Sequence, residues 1–398
     1  MSGEQPQPLA GLRVLDLSRF IAGPMCAQIL GDMGATVIKV ERPGGEDARR
    51  NRPFAGEHSI YAMIYNRNKH GITLNTRAPE AVDLLERLIV ESDVIVENYR
   101  PGTMESMGLS FERIQEINPR AVLTSISGFG QSGPNSHRAM FDAIAQAASG
   151  LMSLTGGPED PPLLTGTYIA DYLGAFHAVM GTMFALWSRE STGVGQHVDI
   201  AAVDALFGIL NTHPSDYAMN GHLSERTGSR DQVTMPANAY PCADGHVYLH
   251  AGTDPLFPRL CRLMGREELA QDPRFVGQAE RLEHRDELET LVTGWTSQLP
   301  CAEVEAQLIA SGIPASTVLT VAEAVDSEQV RAREMMIDMV HPVYGLTRLP
   351  GIPIKLSQTP GSARKPPPLP GEDNAAIYGE LLGLGEAELA RLRSAGVI

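Results

Sequence analysis

The sequence predicts an α/β chain built on a parallel, doubly wound sheet. Two observations carry that reading. Short apolar runs recur along the first 130 residues, and most are followed by a stretch with helical spacing. The 398 residues are also 43% hydrophobic and 20% charged, enough to bury a large core and unlike a disordered chain.

Leu12 to Leu17 reads as the first strand, followed by a loop ending at Gly23-Pro24. Met25 to Met33 is helical and stops at Gly34, and Thr36 to Val40 is the second strand. Pro79 opens a helix whose Leu84, Leu85, Leu88 and Ile89 share one face, and Asp93 to Glu97 is the next strand. Ser110 can cap a short helix that stops before Pro119, and Ala121 to Ile126 is a further strand. Beyond residue 140 come longer helices rich in Ala and Gly, at roughly 141–151, 172–188 and 200–212. A strand from His246 to His250 and charged helices to about 330 suggest a smaller second domain. The Pro-rich segment 348–371 should run extended over the surface, and two short helices near 374–383 and 386–395 close the chain.

The four cysteines are scattered without a C-x-x-C, which suggests neither a disulfide scaffold nor a zinc site. Met1 to Pro6 has no basic flank or apolar stretch of an export signal, and the uncharged run Tyr172 to Ser188 reads as a buried helix rather than a membrane span. A cytoplasmic protein with no membrane partner is expected. The net charge of −16 argues against nucleic acid. Its distribution is uneven: residues 1–140 carry 15 Lys/Arg against 16 Asp/Glu, and the remainder 17 against 32. A polyanionic ligand would find the first 140 residues the permissive place.

The familiar cofactor motifs fail. The turn after the first strand, Ser18 to Pro24, has no G-x-G-x-x-G. The one present, Gly128-Phe-Gly130-Gln-Ser-Gly133, is followed by Pro134, so no helix N-terminus opens there for a pyrophosphate. No Walker loop, nucleophile elbow or H-E-x-x-H occurs, and the eleven histidines do not cluster, so no metal site is expected.

Asp171 is the unusual carboxylate. It heads a helix that runs uncharged to Ser188, where the helix dipole would favour its ionised form, and a desolvated carboxylate can serve as a nucleophile. An aspartate at a helix start can equally be a cap.

Several stretches together resemble the class III coenzyme A transferases, the family of formyl-CoA transferase and carnitine-CoA transferase. They are Leu9 to Asp16, Ala22-Gly-Pro24, Val37 to Arg42, Asn66 to Lys69, Val96 to Gly102, Thr192 to Asp199 and Pro366 to Glu372. Their order and spacing span essentially the whole chain. The resemblance implies a Rossmann-like large domain built from both chain ends, 1–224 and 331–398, with 225–330 as the small domain. It also implies a homodimer of two interlocked subunits.

The resemblance makes Asp171 the nucleophile and implies transfer of coenzyme A from an acyl-CoA to a small carboxylic acid through an aspartyl-CoA thioester. Coenzyme A is then a substrate, with no tightly bound cofactor. Positions matching the family's CoA contacts are Ile21 and Ala22, Arg42, Leu74 to Arg77, Asn98, Tyr99 and Arg100, and Ala139 to Phe141. They fall within or at the edge of the charge-neutral first 140 residues.

The chain departs from the pattern in three places. Ile21 stands where formyl-CoA transferase has a glutamine, Ser106 where it has a basic residue, and no glycine-rich loop lies between Asp231 and Asp244. A larger acceptor, such as a dicarboxylic or hydroxy acid, is favoured over formate or oxalate, with Arg19 as a candidate for the acceptor carboxylate. A racemase of the same superfamily would need a histidine where Arg138-Ala-Met-Phe141-Asp142 carries phenylalanine, which cannot move a proton. A CoA lyase is the other alternative.

Overall fold

Six strands of the computed structural model, which describes residues 7–398, pair in parallel into one sheet. They are β1 (Arg13–Asp16), β2 (Thr36–Glu41), β3 (Lys69–Thr73), β4 (Val94–Glu97), β5 (Val122–Ser127) and β6 (His197–Ala201). Their order is β3-β2-β1-β4-β5-β6. The chain leaves β1 toward β3 on one side and returns to β4 on the other, so the winding reverses between β1 and β4. The Met1 to Pro6 segment, read above as lacking an export signal, lies outside the described residues.

Helices cover both faces, as a parallel sheet requires. On one face α2 (Ala81–Val90) buries Leu84, Leu85, Leu88 and Ile89 against Leu15, Ile38 and Ile95. On the other, α1 (Ala22–Asp32) and the later helix Ile169–Thr192 pack against Val37, Val96 and Ile126. Ser110 caps α3 (Phe111–Ile117) as expected, its hydroxyl accepting the Arg113 N–H. Helix α1 begins before Pro24 rather than after it, because a proline in the first turn lacks only an N–H that would be unpaired anyway.

Two strands, β3 and β6, lie outside the sequence expectation. The Pro-rich tail explains the first. It does not simply cross the surface: Asn68 N–H donates to Lys365 O at 2.9 Å, Gly71 N–H to Asp373 at 2.8 Å and Thr73 N–H to Asn374 at 2.9 Å. The tail thereby covers the free edge of β3. Gly71 is required there, since a Cβ would stand 2.8 Å from Leu369 O. β10 (Met336–His341) and β11 (Gly345–Pro350) form a hairpin whose Met339 and Leu349 pack with Met63.

The chain divides into two compact units. One takes the stretches ending at Leu151, Leu164–Pro214 and Gln329–Ile398; the other takes Met152–Leu163 and Ser215–Glu328. The second has its own antiparallel sheet of β7 (Ala237–Pro241), β8 (His246–His250) and β9 (Ala315–Thr317). Phe257, Leu260, Phe275, Leu288 and Val304 form its core, where Arg281 donates to the carbonyls of Met235, Phe275 and Gly252.

Candidate active site

Ligands of doubly wound sheets bind at the carboxyl ends of the strands, where the winding reverses. Here that point lies between the loop after β1, Leu17 to Ile21, and the loop after β4, Asn98 to Thr103. The first loop is fixed from below by charge. Lys39 and Lys69 are fully buried beside the equally buried Asp16, Lys69 Nζ bonding Asp16 Oδ2 at 2.8 Å and Lys39 Nζ lying 3.8 Å from Oδ1. Burial alone would push the Asp16 carboxyl up, but the two ammonium groups bring it below its ordinary range. Asp16 Oδ1 accepts the Ser18 N–H at 3.0 Å, Lys39 donates to Ser18 O, and Phe20 N–H donates to Glu46 at 3.1 Å. These ties hold Phe20 at φ 65°, a left-handed conformation costing on the order of 1 kcal/mol for a non-glycine residue.

Both loops wall a cavity of about 980 Å³, at the upper end of ordinary ligand sites. Ile21, Ala22, Asn98, Tyr99, Arg100, Ala139, Phe141 and Asp171 all line it. Arg42 and the stretch Leu74 to Arg77 do not. Leu74 is buried in the core, Arg77 is exposed elsewhere with its N–H on Asn75, and Arg42 pairs with Asp47. Arg19 lines the cavity, but its guanidinium is also paired with Asp47.

Asp171 sits in the first turn of α5 (Ile169–Thr192). It is not the cap. That role falls to Asp142, which opens α4 (Asp142–Ser149) and whose Oδ1 accepts the N–H of Ala170 at 2.7 Å and of Asp171 at 3.4 Å. Gln146 Nε2 holds the other oxygen of Asp142 at 2.6 Å, while Gln146 Oε1 accepts the Thr165 N–H at 3.0 Å. The dipole argument from sequence therefore gives the wrong sign: burial, with the Asp142 charge second, pushes the Asp171 carboxyl up to about 7. The site thus presents a carboxylate partly stripped of water, held on a capped helix, and close to its ionisation point at neutral pH.

Asp142, Gln146, Tyr61 and Arg138 also line the cavity, and the sequence reading gave none of them a role in the site. Burial first, then the nearby Asp171 charge, raises the Tyr61 phenol. Arg138 lies 4.9 Å over the Phe129 ring, and among the described residues no carboxylate pairs with Arg138 or Arg100. No histidine lines the cavity, and no group of His, Cys, Asp and Glu among the described residues is placed to hold a metal.

α5 passes the length and composition test for a membrane span, yet its Ala175, Ala178, Thr182 and Ala185 face is buried in the sheet. The expected burial applies to that face only: Phe176, Met180, Phe184 and Trp187 are 41%, 44%, 71% and 82% exposed.

Comparison with known proteins agrees with this architecture. A succinyl-CoA–D-citramalate CoA-transferase of Chloroflexus aurantiacus is 38% identical, with all of both chains covered. A formyl-CoA:oxalate CoA-transferase of Streptomyces coelicolor is 37% identical over 98% of this chain and 99% of its own. A CAIB/BAIF family protein from Brucella suis superposes with a TM-score of 0.86 at 35% identity, covering 95% of this chain and all of that one. The family model for CoA-transferase family III matches residues 9–374, and the chain belongs to that family of enzymes.

Proposed function

We propose that Asp171 carries coenzyme A from an acyl-CoA donor to a small dicarboxylic acid. The observation that carries the reading is the cavity-facing Asp171, partly desolvated at the start of a helix capped by another residue. The Asp171 carboxylate adds to the thioester carbonyl, the C–S bond breaks, and the CoA thiolate leaves behind a mixed anhydride. The thiolate attacks Asp171 Cγ, which releases the donor acid as its carboxylate and forms an aspartyl-CoA thioester. The acceptor carboxylate then attacks Asp171 Cγ and displaces the thiolate. The thiolate takes the acceptor's carbonyl, giving the new acyl-CoA and the free Asp171 carboxylate. No net proton is exchanged, so no second acid or base is needed.

The protein's part is positioning and exclusion of water, which would otherwise hydrolyse the anhydride. Arg100 and Arg138 are the uncommitted cations on the wall for the CoA phosphates. Relatives named for D-citramalate, L-malate and glutarate support a dicarboxylic acceptor with succinyl-CoA as donor. We further propose a homodimer of interlocked subunits, supported by the uncovered apolar face of α5.

The test combines succinyl-CoA with a panel of dicarboxylic acids in deuterated buffer and follows every CoA ester by mass spectrometry. A new ester, absent with Asp171→Ala, supports transfer. Deuterium at the α-carbon without a new ester would replace this reading with a racemase.

A further inference from the structure

The side chains of Asn98 and Tyr99 bond to the protein itself, and they join the two loops at the reversal point of the sheet. Asn98 Oδ1 accepts the Arg19 N–H at 2.7 Å, and Asn98 Nδ2 donates to the Arg19 carbonyl at 2.7 Å. One carboxamide thus satisfies both backbone groups of a residue 79 positions away. Tyr99 OH donates to Leu17 O at 2.6 Å, and the Tyr99 N–H is held at 2.7 Å by the buried Glu97 carboxyl. The three bonds reach the residues just before the left-handed Phe20 and the cavity-lining Ile21.

We infer that Asn98 and Tyr99 are positioning residues: their side chains clamp the Leu17 to Ile21 loop across the β1–β4 reversal and so fix the wall along which the thioester lies. The inference rests on the proposed CoA-transfer reaction for its kinetic consequence. Each bond already made to the protein fixes the orientation of these side chains and ties them to the loop they hold. Losing the clamp should disturb geometry more than affinity, since a displacement of about 1 Å in a reacting site can cost roughly a hundredfold in rate.

The experiment measures kcat and KM for succinyl-CoA transfer, and the Kd of free coenzyme A by calorimetry, in wild type, Asn98→Ala and Tyr99→Phe. Asn98→Ala loses two bonds and should lower kcat about 10- to 100-fold. Tyr99→Phe keeps the ring, loses one bond and should lower kcat about 3- to 10-fold. In both, KM for the thioester and Kd for coenzyme A should stay within about threefold of wild type. A tenfold rise in Kd in either variant, or an unchanged kcat in both, overturns the inference. Tyr99→Phe keeps the test decisive if Asn98→Ala folds poorly. Failure of the transfer reading would show separately, as a wild type that makes no new ester, and a tenfold rise in Kd would still overturn the clamp.

Discussion

Asp142 caps the helix that presents Asp171. Its Oδ1 accepts the Ala170 N–H at 2.7 Å and the Asp171 N–H at 3.4 Å, so the group that orders the helix start also places a second carboxylate beside Asp171. The arrangement links two properties that could have been separate. Capping fixes where Asp171 points, and proximity makes its ionisation harder.

The rate of transfer should therefore depend on pH through Asp171. On the proposed mechanism Asp171 must be ionised, and burial and Asp142 hold its carboxyl up at about 7, so kcat/KM should climb as pH rises through that value. Asp142→Asn keeps an oxygen for the Ala170 N–H but removes the like charge. The ascending limb should then move down by about one pH unit. A limb that stays in place would mean that burial alone sets the shift.

The same shift has a cost in stability. The folded Asp171 carboxyl titrates at about 7 and the unfolded one at 3.8, so between those values the folded chain holds a proton that the unfolded chain has released. Stability is lost as pH rises through that window. Asp171→Asn, which cannot ionise, should be inactive yet more stable than wild type at pH 8, by on the order of 2 kcal/mol. The advantage should shrink to nothing near pH 4. Thermal melts of both proteins across pH 4 to 8 read this directly, and equal melting temperatures at pH 8 would contradict it.

The buried charges under the first loop should resist being split. Lys69 Nζ bonds Asp16 at 2.8 Å and the Pro24 carbonyl at 2.8 Å, with neither charged group exposed. Lys69→Met would strip Asp16 of its closest cation and should cost about 3–5 kcal/mol. Asp16→Asn combined with Lys69→Met removes both charges and should recover part of that loss. Urea unfolding of the single and double variants measures the difference; a double variant no better than the single would show that the carboxylate was not the source of the penalty.

What the sequence made legible follows from where the determining contacts lie. Strands such as Val94–Glu97 and Val122–Ser127 are runs of β-branched residues bounded by breakers, a local signal. Lys69–Thr73 is not: its lysine looks like surface until Asp16, 53 residues away, comes to meet it. Asp171 stood out as the lone charge on an apolar helix, and family resemblance gave it a role. That Asp142 would cap its helix from 28 residues upstream of Ala170 leaves no trace in spacing. The matched positions Leu74 and Arg77 do not line the cavity, and a motif match carries no information on which way a side chain turns. Leu74 turned into the core.

The outer face of α5 makes the dimer testable. Phe176, Met180, Phe184 and Trp187 recur at helical spacing, and exposure rises along the stripe from 41% to 82%. Contiguous apolar surface of this kind is rare on a free monomer. If a second copy covers it, Trp187→Glu would bury an unpaired charge in the contact and should weaken self-association at least a hundredfold, about 3 kcal/mol. Trp187 is on the face away from the sheet, so the fold of the single chain should survive the change and circular dichroism should be unaltered. Sedimentation equilibrium then decides the matter: wild type should have twice the mass of the variant at micromolar concentration. Equal masses would place the contact between subunits elsewhere or remove the need for one.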